Sequence, residues 1–199
     1  MDKQLIVSIS REFGTGGHEI GEKIAKELGI EFYDRSMLDD IAKELNVKVE
    51  YLEKFDEKPR NVILTRRVGE HTNSMEEILA EFQFDYIKKK ADKGESFVIV
   101  GRCSETVLKD YDGMISVFIS GEKQHKLERI MKKYNLNEKD ALSKMKRHDK
   151  KRKKYHNRHS DAKWGDSRDY DLCINSTPLE VDGTVKVIEN YIRERLDRI

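Results

Sequence analysis

The sequence predicts an α/β fold built on a parallel sheet. Five strand-like runs, at residues 5–10, 31–33, 97–100, 114–119 and 170–174, are separated by segments of helical periodicity. Three of them, read as VIVG, ISVFIS and LCIN, are nearly continuous in apolar residues. Strands buried on both faces look like this, whereas a half-exposed hairpin alternates. The first run passes through a glycine-rich loop into an amphipathic helix, the order that a covered parallel sheet requires.

The helices follow from their apolar spacing. Ile20, Ile24 and Leu28 make one face, Leu127, Ile130 and Met131 a second, and Val185, Ile188, Ile192 and Leu196 a third, each able to pack on a sheet. Residues 35–94 carry no strand signal and are broken by polar, loop-like stretches at 56–60 and 69–74, which predicts a helical insertion. A second insertion, 137–169, is intensely charged. The expected organisation is a single domain over 1–199, with core segments 1–34, 95–136 and 170–199. No internal repeat or low-complexity tail interrupts it.

Composition narrows the function classes. Lys and Arg number 39 against 38 Asp and Glu, so the chain as a whole is neither a polycation for nucleic acid nor an acidic tail, and any charge that matters is local. Cys103 and Cys173 have no metal-ligand spacing around them and are expected as small residues in or near the core. The apolar run near the N-terminus is shorter than a signal-peptide core, and no stretch approaches the roughly 20 apolar residues of a membrane span. The expectation is a soluble, cytoplasmic protein without membrane contact.

The loop SREFGTGGHEI at 10–20 carries the strongest chemical signal. Gly14, Gly16 and Gly17 permit positive φ and close ligand approach, so successive N–H groups can converge on phosphate oxygens at a helix N-terminus. A tight turn with no ligand is the alternative. Against the pattern GxxxxGK[ST], Arg11 takes the first Gly position, Gly17 the Lys position and His18 the Ser/Thr position. Phosphoryl transfer needs cationic stabilisation, and Arg11 is the nearest candidate to supply it.

ISREFGTGG at 9–17 followed by FYDR at 32–35 resembles the opening of the cytidylate-kinase-like family. The resemblance continues through VIVGR at 98–102, residues 149–155, WGD at 164–166 and YDLCIN at 170–175, and is loose only in the middle insertion. It implies a three-layer P-loop kinase fold with a five-stranded parallel sheet, a helical acceptor insertion and a basic lid. Nucleoside-monophosphate kinases often end this loop in Lys-Gly-Thr, where this chain has Gly17, His18 and Glu19. The implied donor contacts are therefore Gly14, Thr15, Gly16, Gly17, His18 and Glu19, without the usual lysine and hydroxyl.

Asp34 and Arg35 end the second strand and Gly101 and Arg102 the third, at the carboxyl edge where open α/β sheets bind ligands. Cytidylate kinases hold the monophosphate with Gly-Arg-Asp after that strand; Gly101 and Arg102 are similar, with Cys103 in place of the acid. Arg35 and Arg102 are the implied acceptor cations, and ordinary strand-end pairing is their alternative. Arg66, Arg67, His71 and Asn73 are candidates for base contact, or simply surface residues.

Residues 144–158 contain nine Lys or Arg in fifteen. The run resembles the arginine-rich lid of cytidylate kinases if Arg147, Asp149, Lys150, Arg152 and Lys154 match it, which implies that Arg147, Lys150 and Arg152 assist transfer. A solvated helix face, a nucleic-acid patch, and a metal site from His148, His156 and His159 are the rivals, the last disfavoured by irregular spacing. The leading reading is ATP- and Mg²⁺-dependent transfer to a nucleoside monophosphate, CMP-like, or a similar small phosphorylated acceptor. Its rivals are a nucleotide-binding protein with little or no catalysis and a nucleic-acid-binding module. No protein metal site is assigned, and neither the base nor the oligomeric state can be read.

Overall fold

The computed structural model describes residues 3–56, 67–68, 71–72 and 74–198. In chain order the elements are β1 (Ile6–Arg11), α1 (Gly17–Leu28), β2 (Glu31–Tyr33), α2 (Met37–Glu44), α3 (Val49–Glu53), β3 (Arg67–Val68), β4 (His71–Thr72) and α4 (Met75–Asp92). They continue with β5 (Phe97–Val100), α5 (Ser104–Val107), β6 (Met114–Ser120), α6 (Lys123–Tyr134), α7 (Glu138–His159), a 3₁₀ turn (Ser167–Asp169), β7 (Leu172–Asn175) and α8 (Glu180–Leu196).

The five expected strands form one sheet in the order β2-β5-β1-β6-β7, with every pairing parallel. β1 is central, and its register sets Ile9 beside Val100 on one side and Arg11 beside Ile119 on the other. Because the strands run the same way, residues 11, 34, 101–102, 121 and 176 all leave the sheet at one edge.

Side-chain alternation divides the core. Val7, Ile9, Val98, Val100 and Val117 pack with Ile20 and Ile24 of α1 and with Val185, Ile188 and Ile192 of α8. Ile6, Phe97 and Ile99 take the opposite face with α2 and α4, through Met37, Leu38, Ile41, Leu79 and Ile87. The result is a three-layer sandwich. A smaller cluster of Phe13, Leu127, Ile130, Ala141 and Met145 joins the glycine loop to α6 and α7.

The charged stretch expected as a lid contains one 22-residue helix, α7. Asn137 caps it by accepting the Asp140 N–H at 2.9 Å, with Glu138 and Asp140 in its first turn and His156, Arg158 and His159 in its last. Charge thus follows the helix dipole, negative at the N-terminus and positive at the C-terminus. Among the described residues no helix is long and apolar enough to cross a membrane.

Two expectations change. The insertion contains the antiparallel ribbon β3–β4, whose two-residue strands are too short to leave a periodic signal. Arg67 and His71 belong to that ribbon, while Arg66 and Asn73 lie outside the described residues. Cys103 is buried as expected, but Cys173 is exposed, since β7 is an edge strand with alternating burial.

α1 begins at left-handed Gly16 and ends at left-handed Gly29, whose N–H reaches carbonyls of the last turn. Midway, a Cβ on Gly21 would lie 2.8 Å from Val100 Cγ2 and 3.2 Å from Ile9 Cδ1, so α1 presses on the sheet where only glycine fits. Gly21→Val should therefore cost about 1–3 kcal/mol through overpacking. Denaturant titration at constant m-value checks this, and an unchanged midpoint would refute the close approach.

Candidate active site at the carboxyl edge of the sheet

The glycine loop, residues 12–16, is held from several sides. The Glu12 N–H donates to the Ile119 carbonyl at 3.0 Å, and its carboxylate accepts from Lys126 Nζ at 2.6 Å and from the Gly121 N–H at 3.3 Å. The Phe13 N–H donates to Asp149 Oδ1 of α7 at 2.7 Å. Gly14 has φ +95°, and a Cβ there would meet the Lys126 carbonyl at 2.9 Å. Left-handed residues at 14 and 16, φ +95° and +83°, give the alternating backbone of an anion nest.

Three loop carbonyls are turned onto protein donors: Glu12 O accepts from Thr15 Oγ1, Thr15 O from Ser176 Oγ, and Gly16 O from the Ile20 N–H. The loop therefore does not present these carbonyls to a ligand. The Thr15 hydroxyl is buried against Glu12 O.

A cleft of about 320 Å³ opens over the loop, lined by Arg11, Gly14, Gly16, Gly17, His18 and Glu19 with Arg129 and Tyr134 of α6 and Arg152 of α7. Arg129 pairs with Glu19 across it and would touch a Cβ at Gly16. The Phe13 ring stacks on His148 with centroids 4.2 Å apart and on Tyr134 at 5.9 Å, and Lys144 Nζ sits 4.3 Å from the Tyr134 centroid. Arg152 donates to the Arg11 carbonyl at 3.2 Å and lies 5.6 Å from the Phe13 centroid.

A second cleft, of about 360 Å³, lies towards α3 and is lined by Asp34, Arg35, Glu53, Asp56, Arg102, His148 and Lys151, sharing Arg11, Phe13, His18 and Arg152 with the first. His18 Nε2 is 2.6 Å from Asp34 Oδ2, which joins the glycine loop to the second cleft. Burial works to raise the Asp34 carboxyl, but the Ser36 N–H and His18 outweigh it and hold it below the usual carboxylate value.

Arg102 is 3% exposed and meets Asp56 at 3.0 Å; Arg35 meets Glu53 at 3.1 Å and Asp56 at 3.6 Å. Gly101, Arg102 and Cys103 are consecutive left-handed residues with φ +84°, +64° and +51°. Two of the three carry side chains, so this turn is strained, as backbone at functional sites often is. The Gly101 N–H is fixed to the Ile9 carbonyl at 3.0 Å.

The structure thus brings together Arg11, Gly14, Gly16, Gly17, His18, Glu19, Asp34, Arg35, Arg102 and Arg152. Arg147 and Lys150 are exposed and line neither cleft; from α7, His148, Lys151 and Arg152 line the clefts and Asp149 holds the loop through the Phe13 N–H. The three lid histidines are not a metal cluster: His148 stacks on Phe13, His156 lies 2.7 Å from Glu105, and His159 packs against Phe84 and Tyr155. Among the described residues no group of three or more His, Cys, Asp or Glu could hold a metal ion.

Sequence reasoning missed Arg129, Lys126, Asp56 and the buried Glu105–His156 pair. In that pair the carboxylate oxygen lies close to the imidazole but off the direction of an in-line hydrogen bond. The cations Lys126, Arg129 and Lys133 recur at helical spacing directly after the strand ISVFIS, a signal that was available.

Burial first, and then Arg152, Lys144, Arg147 and Lys151, push the His148 imidazole down to about 4, so it stacks on Phe13 uncharged at neutral pH. The unfolded chain takes up that proton near 6.5, so it binds more protons than the folded chain between about 6.5 and 4, and stability falls as pH falls across that window. His148→Phe keeps a ring and removes the titration. The drop in Tm from pH 7.5 to 5 should be smaller in the variant than in the wild type, and equal drops would refute the assignment.

No curated protein sequence matches the chain. A crystal structure of an uncharacterized protein from Eubacterium ventriosum ATCC 27560 is similar at 39% identity and TM-score 0.77, over 96% of this chain and 99% of that one. Shikimate kinases share the fold at low identity. The protein from Aquifex aeolicus aligns at 15% identity and TM-score 0.53 over 96% of this chain and 98% of its own, and that from Bacteroides thetaiotaomicron at 12% and 0.54 over 95% and 98%. Residues 6–178 match the cytidylate kinase-like family, and with the P-loop kinase architecture around them the chain belongs to that family.

Proposed function

We infer that the protein transfers the γ-phosphoryl group of ATP to a small phosphorylated acceptor, with a nucleoside monophosphate such as CMP as the leading candidate. Family membership supports nucleotide-dependent phosphotransfer in general. The observation that carries the finer reading is the junction of the two clefts. A cleft over a glycine nest and a cleft lined by Arg35 and Arg102 meet at Arg11, Phe13, His18 and Arg152, so a group bound in one lies beside a group bound in the other.

In this reading the loop amides and the α1 N-terminus hold donor phosphates, and Arg152 stabilises charge on the group in transit. Arg35 and Arg102 orient the acceptor. An acceptor phosphate is already anionic, so no general base is required. Of the carboxylates near the nest, Glu12 and Glu19 pair with Lys126 and Arg129, and Asp34, held below the usual carboxylate value, stands beside His18. That suits a hydrated Mg²⁺ bound mainly through phosphate oxygens, where it would neutralise their charge. His18 is not an Mg²⁺ ligand, and its contact orients Asp34.

A second reading, nucleotide binding without turnover, draws on Gly17 and His18 at the lysine and hydroxyl positions and on Asp56 and Glu53 already meeting the acceptor arginines. A coupled ADP-release assay with CMP, UMP, AMP, GMP and shikimate, beside ATP calorimetry, separates the two. Turnover with a monophosphate is expected, and Arg152→Ala should reduce kcat/KM by about 10²-fold. ATP binding with no turnover on any acceptor would leave the second reading.

A further inference from the structure

We propose that Arg11 supplies, from the end of β1, the phosphate-directed cation that a P-loop normally draws from the first turn of its helix, and that Gly17 is glycine because Arg11 occupies its place. The inference rests on the donor role of the glycine cleft. Its ligand class is the polyphosphate chain of a nucleoside triphosphate.

The steric relation is direct. A Cβ built on Gly17 would lie 2.7 Å from Arg11 Cβ and 2.8 Å from Arg11 Cγ, closer than real side chains approach. These Arg11 atoms are the root of the side chain, unable to swing aside as a flexible tip could. A lysine at position 17 would have to start where the arginine already runs. The two positions are therefore complementary: the strand-end residue carries the cation and the helix residue gives up its side chain.

The surroundings suit this role. Arg11 is the last residue of the central strand, its register fixed opposite Ile119, and its carbonyl accepts from Arg152. It lines the donor cleft beside Gly14 and Gly16 and also the acceptor cleft, a span that reaches the position a transferring phosphoryl group must cross. A guanidinium also offers a planar fork of donors, which matches phosphate geometry better than a single ammonium.

The test compares the wild type with Arg11→Gln, Arg11→Lys, Arg11→Gly and the double variant Arg11→Gly/Gly17→Lys, which removes the Cβ that a lysine at 17 would meet, using ATP, ADP and AMP as calorimetric probes and the ADP-release assay for rate. Arg11→Gln should weaken ATP and ADP binding about 10-fold or more while changing AMP binding little, and should reduce kcat/KM by about 10²-fold. Arg11→Lys should recover part of the loss. The double variant should recover ATP affinity relative to Arg11→Gly, because the cation has moved back to the helix.

Wild-type ATP affinity and rate in folded Arg11→Gln would overturn the proposal and leave the kinase reading standing. Weakened ATP binding in Arg11→Gln, in a protein that phosphorylates no acceptor, would uphold the proposal and sink the kinase reading. If Arg11→Gln does not fold, the double variant decides: ATP affinity no better than that of Arg11→Gly, with AMP equally impaired, would assign Arg11 to structure alone. Failure of the wild type to bind ATP would overturn both.

Discussion

The Asp149 carboxylate accepts the Phe13 amide across 136 residues of chain, and the geometry of both clefts depends on that contact. It fastens the middle of α7 to the glycine loop, so that one turn of helix beyond it Arg152 reaches the Arg11 carbonyl and one residue before it His148 lies flat on Phe13. Burial raises the Asp149 carboxyl, and the Phe13 N–H, Lys126 and Arg152 oppose that rise. Lys126 also pairs with Glu12, so α6 and α7 grip adjacent loop residues through one electrostatic cluster. A loop rich in glycine is intrinsically loose; here its shape is imposed by partners remote in sequence.

The same fastening shows why a densely basic helix can pack against a cationic cleft. Its first turn is acidic, its buried side presents Ala141, Met145 and Tyr155, and at its C-terminal end His156 meets Glu105 inside the protein while Arg158 pairs with Glu77. Lys146, Arg147, Lys150, Lys153 and Lys154 remain exposed, where water and counterions screen their mutual repulsion. Only one stripe of the helix brings charge to the loop. The sheet edge supplies the opposing cations, and the left-handed turn at 101–103 holds Arg102 buried against Asp56 rather than in solvent.

Much of this was legible in local pattern. Continuous apolar runs marked the buried strands, glycine spacing marked the loop, and the residues at the strand ends, Arg11, Asp34 and Arg102, marked the edge where the two clefts lie because parallel strands all end on one side. What stayed hidden depends on pairing over distance or on helical phase. Motif matching in the basic run selected Arg147 and Lys150, but at 100° per residue these fall on the face opposite Met145 and Tyr155, whereas 148, 149 and 152 contact the loop. Phase anchored on Ala141 and Met145 would have put His148 and Arg152, rather than Arg147 and Lys150, beside the loop. Nothing local announces that His148 will stack on Phe13 or that Asp56 will meet Arg102, and the short β3–β4 ribbon carries too few residues for any period.

The position of Asp56 has its own consequence. Its carboxylate is tethered by the chain beside Arg102 and Arg35, so any anion arriving there faces a resident competitor whose local concentration is set by the length of its tether and not by the solvent. A small ion offering only two oxygens gains little over the carboxylate it must displace. A ligand that also touches neighbouring groups gains enough to evict it. On the proposed function, this resident carboxylate would select against simple anions such as inorganic phosphate, in favour of molecules that carry the same charge on a larger, better-anchored body.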